Sequence, residues 1–193
     1  ALQNLNKTTS DLNDAQNKIS TGLAIGGARD NAAVWAIAQG QRADIGSLGA
    51  VKMSLDRATS IADVASTAGS TISDLLVQMK EKVVAAMDPS LDTASRTALD
   101  SDFKSILRQI TQVAANAVFD GANMLDGSVP QIKFLANADA TSFITLSAQN
   151  LSLGGGIITV PSTSSLSTIT LATAVLAQVT PSISQTNHAL GNL

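Results

Sequence analysis

The sequence predicts a mainly α fold, an elongated bundle of long antiparallel helices carrying a small β-hairpin region. Three observations lead there. No proline occurs between Asp30 and Asp88, and apolar or alanine residues recur at 61, 65, 68, 72, 75 and 79 in alternating steps of four and three, which marks a helical seam. A second seam of the same period, Leu99, Phe103, Ile106, Ile110, Val113 and Ala117, follows beyond a Pro-containing turn. After Gly121 the period changes to short β-type runs, "QIKFLA" at 131–136 and "SFITLSA" at 142–148, around the turn "NADAT".

Taken in order, residues 1–20 read as a helix with Leu2, Leu5, Leu12 and Ile19 near heptad intervals. The stretch "ISTGLAIGGARDNAAVWAIA" at 19–38 then sets Gly22, Gly26, Gly27 and the Arg29-Asp30-Asn31 cluster between two helices. Such a joint fits a phosphate-cradling loop, a cation site or a shaped connector. Gly26 and Gly27 can supply unusual backbone angles, and Asp30 or Asn31 can cap the long helix that follows. That helix, about 30–87, would span roughly 80 Å at ~1.5 Å per residue, the length of a coiled coil, a bundle strut or a fibre. Gly40, Gly46, Gly49 and Gly69 within it each cost up to ~1 kcal/mol against alanine, which tertiary packing must offset and close backbone approach by a neighbour would explain. "MDPSLDTASR" stops it, because Pro89 disfavours a helical Asp88, and Asp92 or Thr93 offers the next N-cap. The second helix is expected over 93–118, antiparallel to the first, with its end near Gly121 of "FDGAN". Residues 151–165 read as loop or frayed strand, and 166–193 as a returning helix kinked or restarted at Pro181.

Composition narrows the function. Apolar residues are 45% of the 193, yet only Trp35 and four Phe are aromatic and Tyr is absent, which favours close-packed helices over an aromatic-lined pocket. A net charge of −3 and a charged fraction of 14% leave no basic footprint for nucleic acid. Without cysteine there is no disulfide and no thiolate metal site. Neither a membrane span nor a Sec-type signal is visible, and the start without Met suggests a processed or excised piece. One His, one Glu and scattered Asp residues supply no converging acid/base or metal-ligand set; Asp11 with Asp14 and Asp100 with Asp102 read as solvated helix faces, and His188 as a surface or seam residue. Neither "GLAIGGARD" nor the "GGG" at 154–156 carries the Lys-Ser or Lys-Thr of a P-loop. No enzyme, cofactor or metal is expected. Between Ala58 and Met79 the long helix bears only Asp63 and Asp74 as charges, with small residues outward, as in a bundle helix or a subunit that buries its outer face in an assembly.

"NKISTGLAIGGARDNAAVWAIA" resembles the N-terminal signature of bacterial flagellins, where a helix meets a short polar connector and a long helix follows. "FDGANML", with Phe119, Gly121 and Asn123, is similar to the segment that closes the family's second long helix, and "ITLATAVLAQVTPSISQTNHALGNL" to its returning C-terminal helix. Ala24, Gly26 and Asn31 depart from the Arg, Asn and second Asp common there, which removes polar contacts around the connector. The resemblance implies a secreted structural subunit of the flagellar filament, self-assembling for swimming motility. It also implies an extracellular location. Its expected partners are other flagellin subunits in a homo- or hetero-polymer, a flagellar type III export chaperone and a cap protein, with no nucleic acid and no membrane insertion. Both extreme termini of the family look absent. In this reading residues 1–120 form the N-terminal helical segment of a rod domain, 121–162 a β-hairpin and loop region, and 163–193 the returning helix of the same rod.

The resemblance further implies a receptor-facing segment in "LVQMKEKVV". Aligned on Glu81, it places Gln78 and Lys82 where flagellins that activate a Toll-like receptor carry Arg and Leu, so weak activation is expected. Two rivals remain at this point: a hook-filament junction protein, which should carry a longer β-rich centre, and a secreted binding module on a helical stalk, which should show a concave polar site.

Overall fold

A computed structural model describes residues 2–193. Its elements in chain order are α1 (Leu2–Thr21), α2 (Ala32–Ala86), α3 (Thr93–Asn116), β1 (Val118–Phe119), β2 (Ala122–Asn123), β3 (Gln131–Leu135), β4 (Phe143–Ser147) and α4 (Ile169–Leu190). The helix expected over 1–20 is present as α1 from Leu2, and Ala1 lies outside the described residues.

The 55-residue α2 is the strut of the molecule. Val51 is its first buried side chain, and from Ile61 onward Ala65, Ile72, Leu76, Met79 and Val83 lie in the core. Phe103, Ile106, Ile110 and Ala114 of α3 fill one side of this seam. On the other side α4 supplies Ala172, Val175, Val179 and Ala189. Both neighbours run antiparallel to α2: Lys82 pairs with Asp102 near one end of α3, while Arg57 reaches Asp120 beyond its other end. For α4, the Ser73 hydroxyl donates to Asn187 Oδ1 at 2.8 Å, and Leu190 lies over Gly69. A Cβ at Gly69 would collide with the Leu190 side chain, so a packed side chain, not a neighbour's backbone, lies closest to this glycine. Close approach does not explain Gly40, Gly46 or Gly49, which face open space.

Two side chains make the α2–α3 turn. Asp92 accepts from the Ser95 amide at 2.7 Å as the N-cap of α3. Arg96, one turn on, donates to the Ala86 carbonyl and, at 3.0 Å, to that of Asp88, satisfying acceptors left over at the end of α2.

Three sequence expectations change. First, α3 stops at Asn116, and "FDGAN" is a tight hairpin of its own: Val118 pairs with Asn123 and Phe119 with Ala122. The loop residues Asp120 (φ 48°) and Gly121 (φ 74°) both take left-handed angles, as a type I′ turn requires, so Gly121 turns a hairpin instead of ending a helix. Second, α4 does not restart at Pro181 but continues through it as one helix. The missing amide costs the Ala177 carbonyl its helical donor, but packing on α2 on both sides of the proline holds the helix together. Third, Asp100 is not on a solvated face. It is buried, its Oδ1 accepts from the Leu166 amide (2.6 Å) and the Ser165 hydroxyl (2.8 Å), and its Oδ2 takes the Lys104 ammonium at 2.6 Å. Burial pushes this carboxyl up, yet the hydrogen bonds from Lys104, Leu166 and Ser165 outweigh it and hold its pKa below the usual value. The clasp is therefore intact at neutral pH and is lost only as pH falls through that depressed value.

The clasp fastens the segment between β4 and α4, whose irregular backbone places Leu151, Ile158, Val160 and Leu166 in the core. The β3–β4 hairpin is antiparallel, from Gln131↔Ser147 to Leu135↔Phe143. It docks on α2 through buried Phe134 and through the Leu135 amide, which donates to Ser54 Oγ at 3.0 Å. No helix is long and apolar enough to cross a membrane among the described residues.

Because Ala65 lies fully within the α2 seam, Ala65→Pro should cost ~3 kcal/mol or more by deleting a helical hydrogen bond and adding a ring clash. Urea unfolding followed by circular dichroism checks this; a midpoint equal to the parent's would disprove the continuous strut.

Candidate functional site

The residues singled out by sequence fall into three groups strung along α2 instead of converging on one cleft. At its N-terminus is the connector. Gly22 ends α1 in a left-handed conformation (φ 65°), so the unusual angle lies there and not at Gly26 or Gly27. Asp30 folds back, its Oδ2 accepting from the Gly26 amide at 2.9 Å while its own amide donates to the Gly27 carbonyl at 3.2 Å. This leaves Asn31 to cap α2: its Oδ1 accepts from the Val34 amide at 3.1 Å. Arg29 is exposed. Between this loop and the last turns of α1 lies a cleft of about 400 Å³ edged by Asp14, Lys18, Arg29 and Asp30, acid and base in equal number. Balanced charge selects neither a cation nor a phosphate. A shaped, polar joint is what the geometry supports.

Near the middle of α2 sits the β1–β2 hairpin. Arg57 Nε pairs with Asp120 Oδ2 at 2.8 Å and fastens the hairpin's tip to the strut. Phe119 is exposed, whereas Asn123 is buried and does the capping. Its amide nitrogen donates to the Ala114 and Ala115 carbonyls at 2.8 and 3.2 Å, and its Oδ1 accepts from the Leu125 amide at 2.8 Å. One side chain thus closes α3 and starts the next segment.

Toward the C-terminus of α2, Gln78 and Glu81 are exposed, and half-buried Lys82 reaches across to Asp102 of α3 at 2.8 Å. The roles of Arg57, Arg96 and Asp100 escaped the sequence reading. Arg57 and Asp100 act on groups more than sixty residues away, and Arg96 reaches back across the turn to the Ala86 and Asp88 carbonyls, pairings that no local motif marks.

Among the described residues no three His, Asp or Glu side chains stand close enough to hold a metal. His188 is exposed on α4. The geometry is one of fixtures holding a rod.

Asn123→Ala would strand two helix-end carbonyls and a buried amide, at a cost of roughly 1–3 kcal/mol. Chemical denaturation measures it, and a loss under a few tenths of a kcal/mol would refute the capping role.

The profile of the bacterial flagellin N-terminal helical region matches residues 1–129. Flagellin FljO of Caulobacter vibrioides is 47% identical over the whole chain, which spans 70% of that protein, and flagellin FljM of the same organism is likewise 47% identical with the same coverage. A flagellin of Brucella melitensis is 34% identical over 77% of the chain and 54% of its own length. The crystal structure of Bacillus cereus flagellin shares the fold, with a TM-score of 0.61 at 18% identity over 70% of this chain and 77% of that one. A rod of long antiparallel helices, a polar joint at its foot and relatives of this closeness lead to one conclusion: the chain belongs to the bacterial flagellin family and is a structural subunit of the extracellular flagellar filament.

Proposed function

We propose that this subunit enters the filament beside other flagellins in a hetero-polymer, carried to the flagellar type III export apparatus by a chaperone and added at the growing end beneath a cap protein. The observation behind the mixed polymer is that five Caulobacter vibrioides flagellins are each 43–52% identical to this chain, four over its full length and one over 80%. One organism thus carries several copies of one scaffold, which is the condition for subunits to replace each other in a lattice. Co-expression of two differently tagged flagellins in one cell, with immunogold imaging of sheared filaments, tests it. Both labels should intermix along single filaments; filaments that each carry one label alone would rule the hetero-polymer out.

Within the subunit we assign residues 1–120 to the N-terminal part of the rod, 121–162 to its hairpin and loop region and 163–193 to its returning helix. The supporting observation is that all three share one hydrophobic core. The connector, Gly22 to Asn31, serves in this reading as the joint between α1 and the rod. Gly22 supplies its turn, and the short bonds of Asp30 and Asn31 set the direction in which α2 leaves.

The α2 segment around Glu81 is proposed to be a poor ligand for the Toll-like receptor that recognises many flagellins. Gln78 offers an amide where a bidentate guanidinium is expected, and Lys82 is held by Asp102 where an aliphatic side chain is expected. A reporter-cell assay should show weak activation by the intact protein and a gain in the Gln78→Arg, Lys82→Leu double variant. Activation by the parent equal to that of a strong agonist would contradict this.

A further inference from the structure

Asp-Gly is a dipeptide at which a chain can rewrite its own backbone, and this chain contains two, Asp120-Gly121 and Asp126-Gly127. Glycine has no Cβ to shield its amide nitrogen, which can attack the γ-carboxyl carbon of the preceding aspartate. The N–Cγ bond forms while a Cγ–O bond breaks, and the amide proton leaves with that oxygen as water. Water then opens the five-membered imide. Addition at Cγ restores aspartate, whereas addition at the former backbone carbonyl leaves isoaspartate, with the main chain one carbon longer.

The two pairs are held differently. The Asp120 carboxylate lies on Arg57 Nε at 2.8 Å, and the same guanidinium donates to the Asp120 carbonyl at 3.4 Å. Paired Phe119 and Ala122 clamp the turn from both sides. Attack at Asp120 therefore has to break the ion pair and twist the turn out of its left-handed angles. Asp126 belongs to no ion pair among the described residues, and the Gly127 amide donates no hydrogen bond there. Instead Asp126 Oδ1 accepts from the Ser128 amide at 2.8 Å, which folds the carboxyl toward the peptide that it must meet.

We propose that Asp126-Gly127 is a site of spontaneous isoaspartate formation in the folded subunit, and that Arg57 guards Asp120-Gly121 against the same reaction. Exposure alone predicts the opposite order, because Asp120 is exposed and Asp126 is half-buried. Isoaspartate at 126 disturbs a joint of the fold. The Asp126 carbonyl accepts from Ser152 Oγ at 3.3 Å, the Leu125 carbonyl accepts from the Leu151 amide at 2.8 Å, and Gly127 lies against the Asn150 side chain. A longer main chain shifts these contacts, which dock the start of the segment that carries Leu151, Ile158 and Val160 into the core.

The test incubates the folded protein in warm, neutral buffer made with oxygen-18 water. Each passage through the imide exchanges one carboxyl oxygen for the heavy isotope, whichever product forms, and fragmentation mass spectrometry locates it. Label should accumulate at Asp126 faster than at Asp120 by about fivefold or more, the factor that one exposed ion pair can supply. In concentrated urea the two identical pairs should react at similar rates, so the native ratio reads the fold. Arg57→Ala, with its circular dichroism unchanged, should raise the Asp120 rate in the folded protein and leave it unaltered in urea. Asp126→Glu, which has to close a larger and slower ring, should remove the label at that position. Equal native rates, a faster Asp120, or an Asp120 rate indifferent to Arg57→Ala would each overturn the proposal, and label persisting at position 126 in Asp126→Glu would reject the imide route.

Discussion

The seam of α2 from Ile61 to Val83 is the interaction on which everything else in this rod rests. A helix of 55 residues gains little from its own propensity when it contains four glycines and runs of Ser, Thr and Ala. Its continuity comes from α3 and α4, which bury opposite sides of the same stretch. Burial at ~25 cal/mol per Å² rewards each apolar side chain that stays in register, and a break anywhere in the seam would misalign both partners at once. The strut and its braces are therefore one cooperative unit. The hairpins join the same core through Phe134 and Ala122, whereas the connector lies outside it.

Single polar side chains set the edges of that unit. Arg96 closes the end of α2, Asn123 closes α3, Asp100 clasps the segment leading to α4, and Arg57 holds the β1–β2 turn. They work because helix ends leave acceptors and donors that must be satisfied once water is excluded. Asp100 shows the balance of terms most clearly. Burial alone would favour the neutral acid, yet three donors converge on it and the charged form wins. A carboxylate placed so becomes a structural fastener in a chain whose charged fraction is low.

Much of this is legible in the sequence, and what is not has a common cause. The long helix, its turn at Pro89, the second seam and the β3–β4 hairpin are readable because each is written locally, in period or in turn chemistry. The cap of α2 is legible only as Asp30 or Asn31, and the Val34 amide bond selects Asn31. Asp120-Gly121 misleads because an Asp-Gly pair after a helix suits both a C-terminal glycine and a type I′ hairpin, and only the pairing of Phe119 with Ala122 decides between them. Pro181 misleads because a local rule, proline against helix, loses to tertiary packing along α2. Asp100 looks like a surface charge because its partners, Ser165 and Leu166, lie sixty-five and sixty-six residues away.

The distribution of apolar exposure completes the argument from fold to assembly. In α2 the seam is spent internally from Ile61 onward, but Val34, Ile37, Ile45 and Leu48 remain exposed in its first third, as do Leu2, Leu5, Leu12 and Ile19 along α1. A soluble monomer seldom leaves so much aliphatic surface in one continuous run. In a filament subunit such surface is free to meet neighbouring subunits, and it lies on either side of the polar connector. The packed part of the rod is braced from within one chain, by α3 and α4. The α1 side has no such bracing among the described residues: none of its side chains is buried. Gly22 and the short hydrogen bonds of Asp30 and Asn31 define a direction for α2 without burying anything that would resist a change of angle.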